Sequence, residues 1–79
     1  MLTKEEVLGK LNVLAENLDG LKLIVHLTEA KNHLVTASTF IARARLALNE
    51  NDLWRALDRH AEASVYLDAA IEIHTRKKT

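Results

Sequence analysis

Four histidines, His26, His33, His60 and His74, are the side chains of this sequence that change charge near neutral pH, and their spacing decides which chemistry is open. His26, Glu29 and His33 stand at i, i+3 and i+7. On a helix this is one stripe carrying an imidazole, a carboxylate and a second imidazole, a donor set suited to a divalent cation. Two imidazoles seven residues apart sit two turns apart, however, and need a further ligand between them. The sequence contains neither H-E-x-x-H nor E-x-x-H, so zincin and di-iron carboxylate sites are excluded. The stripe is read as polar surface, with no metal and no other cofactor expected. His60, with Ser64 one turn later, has the reach of a general base or of a pH-sensitive interface group. It lacks both a nucleophile and an orienting carboxylate, so it is read as a neutral histidine packed opposite Ile41, and the chain as a non-enzyme.

The arginines raise a second possibility. Arg43 and Arg45 precede a mid-chain turn and Arg55 and Arg59 follow it, while Arg76-Lys77-Lys78 closes the chain near Lys22 in a hairpin arrangement. Such clusters can contact phosphates, which makes an RNA- or DNA-binding hairpin dimer the alternative reading. Glu50, Asp52 and Asp58 interleave with the first cluster, and basic residues at a helix C-terminus also complement its dipole. Arg55 and His60 form an R-x4-H string that looks like the motif of HEPN-type ribonucleases. Five arginines and four histidines make one such match expected by chance, so it assigns no activity. The stretch Leu57-Asp58-Arg59-His60-Ala61-Glu62, in an alanine-rich hairpin, is similar in plan to Rop-type hairpins, which dimerise into four-helix bundles and bind RNA. That likeness is architectural and implies a dimeric bundle.

The elements that position these residues follow from composition. Eleven alanines, fourteen leucines, no proline and glycine only at Gly9 and Gly20 predict helix throughout the 79 residues. Eleven basic side chains balance eleven acidic ones, so the overall field of a nucleic-acid binder is absent. Without cysteines there is no disulfide scaffold and no thiolate zinc site. No apolar run is long enough to span a bilayer, and Met1-Leu2-Thr3-Lys4-Glu5-Glu6 lacks an apolar h-region, so a cytoplasmic protein without membrane contact is expected. A tetratricopeptide reading fails, because only one helix pair is present.

Thr3 with Glu6 makes a capping box and Leu2 with Val7 a hydrophobic staple, opening helix A at residue 4. Helix A is predicted over about residues 4–19, with Gly20 as its left-handed cap or as a kink. Helix B is predicted over about 21–48 from a heptad seam of Leu23, Leu27, Ala30, Leu34, Ala37, Ile41, Ala44 and Leu48. Asn49-Glu50-Asn51-Asp52 marks the turn, and helix C is predicted over about 53–75 with its own seam of Leu53, Leu57, His60, Ser64, Leu67, Ile71 and His74. The fold class is therefore all-α, a short N-terminal helix plus a long antiparallel hairpin, in one domain spanning 1–79. In that hairpin Lys31 meets Asp68 and Arg45 meets Trp54.

One flank of this hairpin stays uncovered. Phe40 and Ala47 of helix B lie beside Ala56, Ala63 and Ala70 of helix C, with Tyr66 and Ile73 extending the apolar wall. A wall of this extent on a monomer invites aggregation, so these seven residues are expected to form a self-interface in a homodimeric helical bundle. The function expected is protein–protein interaction, as an adaptor, inhibitor or regulator of the kind found among bacterial and phage accessory proteins, with itself and another protein as partners.

Overall fold

A computed structural model describes the backbone of residues 1–78 and the side chains of residues 1–76, and those residues form three helices and no strand: α1 (Lys4–Ile24), α2 (Thr28–Asn49) and α3 (Leu53–Lys78). Thr3 caps α1 by accepting from the Glu6 N–H at 3.2 Å, which is the N-cap half of the expected box, and Leu2 packs against the cluster that holds Val7, as the staple requires. The helix then runs straight past Gly20. No glycine has a positive φ, so the cap expected there does not form and α1 runs on to Ile24.

The break comes instead at Val25, His26 and Leu27. Val25 and Leu27 take extended backbone, and Val25 is buried with Leu18, Ala30 and Ala70 at the end of the bundle. Burial of this valine ends α1 where the local sequence has no glycine, proline or asparagine to signal a turn. Leu23 consequently leaves the predicted seam and lies on the exposed side of α1. From Ala30 onward the seam holds, with Ala30, Leu34, Ala37, Ile41, Ala44 and Leu48 all buried.

The second turn follows the predicted turn formers. Asn51 adopts φ 61°, the Asp52 N–H donates to the Ala47 carbonyl and the Asn51 N–H to that of Leu48, which together make a Schellman closure of α2. The Asp52 carboxylate accepts from the Arg55 N–H at 3.1 Å and opens α3.

Helices α2 and α3 pack most closely, antiparallel, in a bundle about 43 Å long and 17 by 16 Å across. Alanines set this approach: Ala30, Ala37 and Ala44 recur every seventh residue on α2, and Ala56, Ala63 and Ala70 do so on α3, all at 0% exposure. The face that α3 turns to α2 is therefore the alanine line with Leu67. The line predicted for that seam, from Leu53 and Leu57 through His60 and Ser64, is rotated towards α1, where a third helix accommodates the larger side chains. Helix α1 lies along both partners, Val7 and Leu11 packing with Ala44, Leu48 and Ala56, and Leu14 and Leu18 with Ile41 and Leu67. None of the described helices is long and apolar enough to cross a membrane.

Candidate functional site

The flank of α2 and α3 that α1 leaves open carries the aromatic side chains other than Trp54. Phe40 of α2 and Tyr66 of α3 stack with ring centroids 5.6 Å apart and planes 11° from parallel, and the His33 ring tilts onto Tyr66 at 6.0 Å. The Arg43 guanidinium lies 5.4 Å from the centre of the Phe40 ring, a cation–π contact that continues the row. His33, Phe40, Tyr66 and Ile73 are all half-buried: Phe40, Tyr66 and Ile73 rest on the core, and each of the four keeps part of its surface open to solvent. Such a row is where helical periodicity places it, since residues 33, 36, 40 and 43 share a face of α2 and 59, 62, 66 and 73 a face of α3.

The seven residues expected at a self-interface divide into two sets. Ala47, Ala56, Ala63 and Ala70 are at most 2% exposed within one chain, because the packing of the three helices already covers them. They are unavailable to a second copy, a correction to the expected interface. Phe40, Tyr66 and Ile73 remain partly open.

The arginines do not gather. Arg43 lies over Phe40 on the aromatic flank, while Arg45 points to the other side of α2, its guanidinium 3.5 Å from the Asn12 side chain of α1. Arg55 pairs with Asp52 at 3.4 Å and Arg59 with Glu62. Arg45 therefore does not meet Trp54, which stands 72% exposed, and Lys31 and Asp68 form no ion pair among the described residues. The side chains of Lys77 and Lys78 in the C-terminal basic cluster lie outside the described residues.

The histidines also separate. His26 sits in the α1–α2 turn rather than on α2, which breaks the i, i+3, i+7 stripe with Glu29 and His33. Among the described residues no group of three His, Cys, Asp or Glu side chains is placed to hold a metal ion. His60 faces α1 rather than Ile41, in a shallow cleft with Glu5, Glu6, Gly9, Lys10 and Val13. Partial burial of the ring, joined by the nearby Lys10 ammonium, holds its pKa below the ordinary imidazole value, with the Lys10 backbone acting in the opposite sense. His74, late in α3, keeps Nε2 covered without a hydrogen-bond partner among the described residues.

This cleft is part of a surface that the residue patterns did not single out. The α1–α3 groove contains two clefts, the one around His60 and Val13 and another lined by Leu14, Gly20, Leu21, Ser64, Leu67 and Ile71. Its sequence signal is the pair Gly9 and Gly20, helix-interior glycines that neither cap nor turn the chain. No protein family, curated protein or solved structure matches this chain.

Proposed function

We propose that this chain is a non-enzymatic interaction protein that self-associates through the open flank of its α2–α3 pair, acting as an adaptor, inhibitor or regulator of another protein. The observation that carries the reading is the half-buried row of His33, Tyr66 and Phe40, extended by Ile73. Aromatic rings stacked on one another and still partly open to solvent are the usual anchors of protein interfaces, since two χ angles immobilise a large apolar area. Two copies related by a two-fold axis would set row against row and place four α2 and α3 helices around a common core. The nucleic-acid reading through Arg43, Arg45, Arg55 and Arg59 is weaker, because those side chains diverge and two of the four are paired with carboxylates.

Light scattering during size exclusion tests the proposal: the wild type should elute with a mass near twice 8.9 kDa. Phe40→Glu and Tyr66→Glu should each give a folded monomer by circular dichroism, because both rings lie at the rim of the core. A monomeric wild type, or a dimer that survives both substitutions, would overturn it. Nucleic acid retained through purification, read as excess absorbance at 260 nm, would favour the arginine reading instead.

A further inference from the structure

We propose that the groove between α1 and α3 is the docking site of a basic amphipathic helix from another protein, a surface separate from the aromatic flank. The groove's floor is apolar and its rim acidic. Val13, Leu14, Leu21, Leu67 and Ile71 form the apolar part of its two clefts, of about 480 and 450 Å³. Glu5, Glu6, Glu16 and Asp68 stand along them against the single ammonium of Lys10. Four carboxylates and one cation at one groove contrast with the even charge balance of the whole chain. An occupant matched to this field presents Lys or Arg beside its apolar stripe.

The dimensions fit a helix. From Glu5 to Leu21 the groove follows α1 for about 24 Å at 1.5 Å per residue, the length of a helix of about four turns. Gly9 and Gly20 both line it, and a Cβ built on either would meet nothing within 4 Å. Neither glycine is required by the fold of this chain. Each leaves a gap into which the side chains of a third helix can settle while its backbone comes close to α1.

A second copy fits less well. The chain's own exposed basic apolar face is the side of α2 with Lys31, Val35, Arg45 and Leu46, and docking it into the α1–α3 groove of a neighbour would be a head-to-tail contact, which propagates into open assemblies unless it happens to close as a ring.

Selection from a displayed library of randomised sixteen-residue helical peptides tests the proposal. Enriched peptides should carry Lys and Arg flanking an apolar i, i+3, i+4, i+7 stripe. Their affinity for the protein should fall as salt rises. Gly9→Leu with Gly20→Leu places side chains in the groove at two positions where a Cβ meets no other atom within 4 Å, and should weaken binding by about tenfold or more. Glu16→Lys with Asp68→Lys should act in the same direction, and Phe40→Glu should have no effect, which separates this site from the self-association flank. Peptides without a basic bias, binding that survives the double glycine substitution, or no enrichment over an unrelated helical protein would each overturn the proposal. So would large assemblies of the wild type that the glycine substitutions dissolve, since these would assign the groove to another copy.

Discussion

Gly20 offers a decision between two local structures with opposite signs. As a left-handed cap it would resist replacement, because an alanine at positive φ costs about 1–2 kcal/mol. In the structure it lies inside α1 without positive φ, and a Cβ has open space around it; Gly9 is in the same situation about three turns earlier. In a helix interior alanine is favoured over glycine by about 0.8–1.0 kcal/mol. Both Gly9→Ala and Gly20→Ala should therefore stabilise the protein by about that amount. The two sites are about 16 Å apart along the helix axis, beyond the range at which substitutions couple, so the double variant should gain about 2 kcal/mol. Urea unfolding followed by circular dichroism at 222 nm, at one fixed protein concentration, measures the gain as a raised midpoint with an unchanged slope. In melting temperature each substitution should contribute roughly 4–8 °C for a domain of this size. A neutral or destabilising Gly20→Ala would refute the continuous α1, and with it the placement of the first turn at Val25–Leu27.

Four further outcomes follow from the packing. Leu11 of α1 is fully buried against the turn end of α2 and α3, so Leu11→Ala should cost about 2–5 kcal/mol in the same urea assay. Ala63→Leu adds three carbons to the tightest seam and should cost about 1–3 kcal/mol or more, whereas Ala61→Leu on the exposed face should leave the midpoint within about 0.5 kcal/mol. Asn51 holds φ 61°, so Asn51→Val should destabilise by about 1–2 kcal/mol and Asn51→Gly should be tolerated. The lowered pKa of His60 means that the unfolded chain takes up the proton first as pH falls; stability is full above the unfolded pKa of about 6.5, declines as pH drops through it towards the folded value, and levels off below that. His60→Gln should flatten that part of the profile between pH 8 and 5, and an unchanged profile would remove the role given to burial and Lys10.

The parts of the fold legible in the sequence are those governed by local chemistry. Thr3, Glu6 and Leu2 announce the start of α1, and Asn51 and Asp52 the second turn, because capping and left-handed geometry depend on side chains within three residues. The first turn was illegible for the converse reason. Ile24-Val25-His26-Leu27 carries no turn former, and Leu23 and Leu27 extend the heptad pattern backward without a break, so only the burial of Val25 among three helices ends α1. The same limit applies to the candidate surface. Phe40, Tyr66 and Ile73 could be placed on one flank by periodicity alone. The fate of Ala47, Ala56, Ala63 and Ala70 could not, since it depends on how close α2 comes to α3.

An alanine repeated every seventh residue states only that some helix comes close. Here the repeats lie on both α2 and α3, and the two lines, facing one another with α1 packed beside them, reach 0% exposure along Ala30, Ala37, Ala44, Ala56, Ala63 and Ala70. The consequence reaches the surface. With small residues meeting in the seam, the larger side chains of α3 rotate outward to either side: His60, Ser64 and Ile71 towards α1, Tyr66 and Ile73 towards the open flank. On the first side α1 covers them only in part and leaves the acid-rimmed groove; on the second no helix among the described residues lies over them and the Phe40–Tyr66 stack remains half-exposed. Both surfaces are thus products of one packing decision. Widening the seam with Ala63→Leu should disturb the two together, while Gly20→Leu and Phe40→Glu should each disturb one alone.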